Sequence, residues 1–329
     1  TEECKLGGPI YNLEYFVEKA RKFQDMGANS ICIKDMAGLL APYDAYELVS
    51  TLKAELTVPL QLHTHYTSGM ASMTVLKAIE AGVDVIDTCL SPLALRTSQP
   101  AIEPLLTTLQ GEERDPGLPI DSLLDIGDML ELVLPRYSTH LKRPKSAVID
   151  ARVLSHQIPG GMASNLVSQL RDADALDRLD DVLRDIPQTR ADLGFPPLVT
   201  PISQMVGSQS VSNVLFGRYE MISEPIKDYI RGDYGNPPGS LDVVLKGKIL
   251  HATETNRSLP NRPGDNIAPE LDTAREAVSE ITSEIDDVLI YALYPQTGMR
   301  FLRIKYGLEP VPEEMKGDSH STTDGLESM

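Results

Sequence analysis

Cysteine is scarce in this chain, and basic charge is outnumbered. The thiols are Cys4, Cys32 and Cys89, with no Cys-x-x-Cys spacing. That excludes a disulfide framework and points to a reducing compartment, the cytoplasm. Cys32 and Cys89 stand inside apolar runs and are expected to be plain core residues. Against 48 Asp and Glu there are only 30 Lys and Arg, a net charge of −18. So acidic a surface repels phosphate backbones and anionic headgroups, and no nucleic-acid partner is expected. No apolar stretch approaches the roughly 20 residues that cross a bilayer. The opening TEECKLGGPI has neither the basic nor the apolar segment of a secretory leader. It does not begin with Met, so the chain is expected to be a fragment or a processed product. What is present is ordinary for a globular protein, 41% hydrophobic and 24% charged, and its 329 residues suit one large domain or two.

The N-terminal third repeats one pattern of amphipathic helix, short apolar strand and polar loop. NLEYFVEKARKFQDMGA carries apolar residues at helical spacing and ends at Gly27. SICIKD reads as a strand, PYDAYELVSTLKAEL as a helix with Pro42 near its start, and PLQLHTH as a second strand. GMASMTVLKAIEAGV and DVIDT repeat the pair. Strands alternating with helices indicate βαβ units on a parallel sheet, in a (β/α)8 barrel or a doubly wound fold. A closed barrel needs eight strands; the visible count is three, so either the fold is not a barrel or its first half lies outside this chain. From about residue 98 the pattern turns helical. DSLLDIGDMLELVLPRY, ASNLVSQLRDADALDRLDDVLRDI, SQSVSNVLFGRYEMI, EPIKDYIRGDYG and EIDDVLIYALYPQTGMRFLRIKYG each read as one helix. TETNRSLPNRPGDNIAPE reads as a surface crossing, and the polar end EEMKGDSHSTTDGLESM, with His320, as disordered.

Three short stretches carry residues suited to chemistry. In LQLHTHYTSG, His63 and His65 are two apart at the C-terminal end of a strand. Strand geometry turns both imidazoles to one face, where they can converge on a single ion. The alternative is a pair of hydrogen-bonded histidines, and the residues leave both readings open. Lys34 ends the preceding strand and opens onto the same mouth. Burial and neighbouring cationic charge would free its amine to add CO2 and become a carbamate, a metal ligand. Spacing alone favours the plainer reading, Lys34 paired with Asp35. In HQIPGGMASNL, Gly160 and Gly161 make a turn before a helix that starts near Ser164 and Asn165. Such a helix start can bind a carboxylate; the local pattern favours a simple loop with Ser164 as cap. RTSQP reads as another polar rim loop, with Arg96 either binding an acid or lying on the surface.

Nine segments, taken in order and spacing, resemble the biotin-dependent carboxyltransferases: IKDMAGLL, HTHYTSG, KAIEAGVDVIDT, TSQP, IPGGMASNL, VTPISQMVGSQSVSNVLFGRY, DYIRGDYG, RPGDNIAPE and VLIYALYPQ. This family includes the oxaloacetate decarboxylase alpha chain, the matching subunit of multi-subunit pyruvate carboxylases with its single-chain relatives, and the pyruvate-binding subunit of transcarboxylase. The resemblance runs from about residue 10 to 310. It implies the C-terminal part of a (β/α)8 TIM barrel followed by an α-helical funnel region. Residues 1–110 would be the second half of the barrel, 111–310 the helical carboxyltransferase region, and 311–329 a disordered tail.

The resemblance also implies roles. Lys34 as a carbamate, His63 and His65 would hold a divalent metal, Zn, Mn or Co. Ser164 would shuttle a proton between biotin and pyruvate, and a serine there suggests the decarboxylase or transcarboxylase branch. Gly160, Gly161, Asn165, Thr97 and Gln99 would bind substrate or biotin. The activity would be carboxyl transfer between carboxybiotin and pyruvate or oxaloacetate through a metal-stabilised enolpyruvate. Expected partners are a biotin carboxyl carrier domain or protein, biotin carboxylase or decarboxylase membrane subunits, and a second copy in a homodimer. The enzyme would be cytoplasmic, with a location at the periphery of a membrane decarboxylase complex as the variant.

Two parts of the family pattern are missing. The RDGHQ-like segment, which brings an aspartate ligand and pyruvate-binding residues, is absent, and residue 1 falls near the fifth strand. The biotinyl MKM motif is also absent; EEMKG occurs without it, so biotin is expected on a domain outside this chain. The competing expectations are a metal-dependent acyl-CoA lyase or synthase barrel, and an inactive truncated fragment.

Overall fold

The structure, a computed structural model, describes residues 6, 8–137, 149–158, 160–250 and 263–312. Cys4, most of the surface crossing and the C-terminal tail with His320 lie outside the described residues. The chain divides into two compact units: Thr1–Glu131 with Arg143–Ser258, and Leu132–Lys142 with Leu259–Met329.

The first unit begins with the alternating pattern. Helix α1 (Leu13–Asp25) starts where the Asn12 side chain accepts the Tyr15 N–H at 2.8 Å. It stops before Gly27, whose φ of +95° ends helical hydrogen bonding at low cost. Strand β1 (Ile31–Asp35) follows, then α2 (Pro42–Glu55), β2 (Leu60–Thr64), α3 (Ala71–Glu80) and β3 (Val85–Ile86). The strands are parallel in the order β1-β2-β3. Lys34 stands opposite His63, Ile31 opposite Leu60, and Leu62 opposite Ile86.

Strand alternation gives the sheet two unlike faces. Leu60, Leu62 and Thr64 are buried, and the two leucines pack with Leu48, Leu52, Val75 and Ala78 of α2 and α3. The other face carries Cys32, Lys34, Gln61 and His63. Cys32 is exposed, not a core residue. Its apolar neighbours Ile31 and Ile33 point to the opposite face, and β1 is the edge of the sheet. A groove of about 510 Å³ runs along that edge, walled by Phe16, Phe23 and Met26. After β3 come α4 (Ile102–Leu109) and α5 (Ile120–Val133).

The rest of this unit is helical: α6 (Gly160–Asp172), α7 (Leu179–Asp192), α8 (Ile202–Phe216), α9 (Glu224–Arg231) and α10 (Val243–Ile249). Its core gathers Leu166, Leu170, Val182, Ile186, Val206, Ile226 and Leu245. The single helix expected over 163–186 is two. Asp174 turns left-handed at φ +51°, and the Ala175 N–H returns to the Leu170 carbonyl at 2.8 Å. Both α8 and α9 stop at glycines, Gly217 and Gly232. Arg218 ties Asp185 and Asp192 together behind them, and burial holds the Tyr219 hydroxyl, bonded to Asp192 at 2.7 Å, well above its usual pKa.

The second unit contains α11 (Leu271–Val278), α12 (Ile285–Leu293) and α13 (Pro295–Lys305) around Ala274, Val278, Val288 and Leu302. The helix expected over 284–307 breaks at Tyr294, because Pro295 has no N–H to continue the ladder and instead opens α13. Among the described residues, no helix is long and apolar enough to cross a membrane.

Packing and burial set two expectations for stability. Leu62→Ala, at a site with 0% exposure, removes core contacts and is expected to cost about 2–5 kcal/mol in denaturant unfolding. His156 is half-buried, and burial holds its pKa below the usual 6.5; Asp150 opposes this and Arg152 adds to it. The unfolded chain therefore takes up the proton first, so stability falls as pH drops below 6.5. His156→Gln should flatten that part of a pH–stability curve.

Candidate active site

The parallel register sets Lys34 and His63 side by side on the open face, and β2 ends at Thr64, so His65 is the first residue beyond it. The turn after β1 presses on this point. A Cβ at Gly38, whose φ is +68°, would overlap the His65 carbonyl oxygen, and the Ser68 hydroxyl donates to the Gly38 carbonyl. Asp35 does not pair with Lys34. Its oxygens accept the N–H groups of Leu39 (2.8 Å) and Leu40 (3.0 Å) and the Thr64 hydroxyl (2.8 Å). Lys34 is exposed, so the burial expected to free its amine is not found; it stands at the lining of a cavity of about 550 Å³ that also includes Tyr11, Gln157, Arg190 and Val199.

The two imidazoles converge. His63 Nε2 and His65 Nε2 are 3.2 Å apart. His63 Nδ1 is 2.7 Å from Asp87 Oδ2, and His65 Nδ1 is 2.6 Å from the Thr97 carbonyl oxygen. A carbonyl and a carboxylate only accept, so each Nδ1 carries a proton and each Nε2 presents a lone pair. With both rings neutral, two lone pairs face each other and repel; either a bound cation or a proton carried by one ring and donated to the other relieves this. Two imidazoles bound to one tetrahedral ion at 2.0–2.1 Å would have nitrogens roughly 3.3 Å apart. The donor set therefore fits a divalent metal, with His63 and His65 as nitrogen ligands and Lys34 beside them. Among the described residues, no three His, Cys, Asp or Glu side chains are grouped to hold an ion; further ligation would need an oxygen such as a carbamate on Lys34.

Asp87 is a site residue that the sequence does not single out. Its other oxygen accepts Gln61 Nε2 at 2.7 Å, so Gln61, Asp87 and His63 form one chain of contacts. The only signal is an acidic residue at the end of a strand, and cross-strand register is invisible in a single sequence. Gln99 comes close, its Nε2 3.4 Å from His63 Nε2, while Cys89 and Ser98 hold its Oε1. Thr97 takes part through its carbonyl. Arg96 is exposed, in a left-handed conformation at φ +55°. Helix α6 begins at Gly160, so Gly160 and Gly161 lie in its first turn and not in a turn before it; Ser164 falls within the helix and is not its cap, and Asn165 is exposed. The loop before α6 reaches the cavity through Gln157.

Comparison with known proteins places the chain among carboxylases. The conserved carboxylase domain family matches residues 153–325, and the HMGL-like family matches 10–130. The chain is 46% identical to a pyruvate carboxylase subunit of Methanocaldococcus jannaschii, over 94% of this chain and 55% of that protein. It is 38% identical to the 2-oxoglutarate carboxylase large subunit of Hydrogenobacter thermophilus, over 92% of this chain and 48% of that protein. The carboxyl transferase domain of Rhizobium etli pyruvate carboxylase, solved with pyruvate, superposes with a TM-score of 0.80 at 30% identity, covering 91% of this chain and 52% of that one. The chain thus spans about half the length of the curated relatives it matches.

The Asp87 contact makes a testable statement. Asp87→Asn or Asp87→Ala should weaken divalent-metal binding about 10–100-fold by calorimetry, because His63 loses the acceptor that fixes its tautomer. Unchanged affinity would show that Asp87 does not orient the ligand.

Proposed function

The chain belongs to the biotin-dependent carboxyltransferase family, and from that membership we propose that it carries the metal- and keto-acid-binding part of an enzyme moving a carboxyl group between carboxybiotin and pyruvate or oxaloacetate. The observation that carries this reading is the pair of Nε2 atoms 3.2 Å apart, each with its Nδ1 held by an acceptor. His63, His65 and a carbamylated Lys34 would hold a divalent ion, Zn, Mn or Co. When bound, such an ion supplies Lewis-acid polarisation of the keto oxygen and stabilises the negative charge of the enolate.

The chain's own residues do the rest. Asp87 and the Thr97 carbonyl keep both imidazoles in the ligating tautomer. Gln99 offers an amide N–H beside the imidazole focus, suited to an oxygen of the bound keto acid. Gly160, Gly161 and Asn165 form the helix start facing an anionic group, and Ser164 carries the proton between the keto-acid methyl carbon and the biotin ureido nitrogen. Residues 1–110 act as the barrel half and 111–310 as the helical carboxyltransferase region. Biotin arrives on a carrier domain outside this chain, charged by a biotin carboxylase or discharged by decarboxylase subunits, and the working enzyme is a cytoplasmic homodimer.

Pyruvate is favoured over 2-oxoglutarate because the pyruvate carboxylase relative is the more similar of the two. An acyl-CoA lyase or synthase would be supported by the HMGL-like match over 10–130 alone; the carboxylase match over 153–325 argues against it.

Carboxyl exchange by the enzyme assembled with its biotinyl carrier tests the proposal. Lys34→Ala and Ser164→Ala should each lower exchange at least about 100-fold, and chelation should abolish it until metal is restored. Full exchange by Lys34→Ala would end the carbamate assignment. Full exchange by Ser164→Ala would move the proton carrier elsewhere. The hydroxyl to substitute next is Thr200, exposed and directly after Val199 on the wall of the Lys34 cavity.

A further inference from the structure

Arg190, in the last turn of α7, is only 8% exposed. Burying a guanidinium is costly, and proteins normally offset it with a carboxylate. Here the partners are neutral. Nε donates to the Pro196 carbonyl at 2.9 Å, Nη1 donates to Gln157 Oε1 at 2.5 Å, and the guanidinium lies 5.6 Å from the centre of the Tyr11 ring. No carboxylate pairs with it among the described residues. The Tyr11 hydroxyl donates to the Phe195 carbonyl, so Tyr11 and Arg190 grip the same loop.

These contacts tie three segments distant in sequence: the stretch before α1, the loop before α6 and the loop before α8. Tyr11, Gln157, Arg190 and Val199 all line the cavity whose lining also includes Lys34. Both loops are bent in ways that side chains alone do not favour. Gln157 has φ +59° and Phe195 φ +55°. One loop leads into the helix that bears Ser164; the other leads directly to Thr200. The rigid planar fork of arginine can hold two acceptors at a fixed separation, which a lysine ammonium cannot.

We propose that Arg190 is a positioning residue that clamps the Gln157 and Pro196 loops at one spacing across the Lys34 cavity, so that the hydroxyl delivering the proton is held within reach of the keto acid. The link to proton delivery rests on the carboxyltransferase reading; the clamp itself rests only on the contacts of Arg190. A buried cation with no directly paired carboxylate among the described residues is retained because it fixes the distance between two loops, which a neutral or single-point donor cannot do.

Hydrogen–deuterium exchange on the full chain, with Arg190→Lys and Gln157→Ala, tests the clamp. Each substitution should raise exchange in residues 154–158 and 193–199 together, by about tenfold or more, while β1–β3 stay protected. A rise confined to one segment, or none, overturns the proposal. If Arg190→Lys fails to fold, Gln157→Ala, which removes a half-exposed side chain, decides the matter alone. In the assembled enzyme, Arg190→Lys should lower kcat about 10–100-fold with KM for pyruvate within about twofold, the mark of lost positioning without lost binding. An unchanged kcat, or a rise in KM alone, overturns the role in catalysis. If the unsubstituted assembly shows no carboxyl exchange, the carboxyltransferase reading fails and the deuterium measurement alone settles the clamp.

Discussion

Two imidazole lone pairs held 3.2 Å apart set the terms for everything around them. Neither ring can relieve the repulsion by moving its proton to Nε2, because Asp87 and the Thr97 carbonyl each require a donor at Nδ1. Rotating a ring would break a short hydrogen bond in a half-buried setting, at a cost of about 1–3 kcal/mol. The surrounding chain is arranged to sustain this. The Thr97 loop passes through two successive left-handed residues, Leu95 at φ +66° and Arg96 at φ +55°. Such conformations are uphill for side-chain-bearing residues and persist only where the loop is fastened. It is fastened: Ser98 accepts the Tyr66 N–H at 2.7 Å, Leu95 N–H reaches Gln99 at 2.8 Å, and Cys89 bridges to Ala101. A cation at the focus turns a strained arrangement into a favourable one.

The same constraint explains the composition of the sheet. Parallel strands are usually apolar on both faces because helices cover both. Here the helix-covered face is apolar apart from Thr64 and Asp35, and the Thr64 hydroxyl donates to the Asp35 carboxylate. The other face carries a row of Lys34, His63 and Asp87, with Gln61 one step below. A row of that kind has no value as core. It makes sense as a ligand shell at the C-terminal ends of strands, where α/β folds collect their chemistry.

Much of this is legible in the sequence, and the failures have identifiable causes. The helix and strand alternation through residue 86 lies close to its expected boundaries, since period 3.6 and period 2 are strong local signals. Lys34 stands opposite His63 and the imidazoles of His63 and His65 converge, as their positions at strand ends imply. Cys32 reads as core only when its apolar neighbours are counted without asking which face they take; Ile31 and Ile33 alternate away from it. Asp87 is silent in the sequence because its importance comes from pairing across strands, a property of register. The long helical stretches over 163–186 and 284–307 hide their breaks for different reasons. Asp174 bends through a left-handed turn that its sequence tolerates, whereas Pro295 is an explicit stop signal inside a pattern otherwise continuous.

Electrostatics bear on the anionic substrate proposed for this acidic chain. A net charge of −18 repels keto acids at long range. Salt screens that repulsion within about 8 Å, so the local field decides whether an anion stays. In the Lys34 cavity the cationic groups are Lys34 and Arg190, and the carboxylates are Asp35 and Asp44. Asp35 already accepts two backbone N–H groups and a hydroxyl, which spread its charge over the turn after β1. Among the described residues, Arg190 is bonded to neutral acceptors and lies over an aromatic face. This cavity therefore balances two cationic side chains against two carboxylates, in contrast to the acidic excess of the chain as a whole. A divalent ion held by the imidazoles would add the positive charge that a bound carboxylate requires.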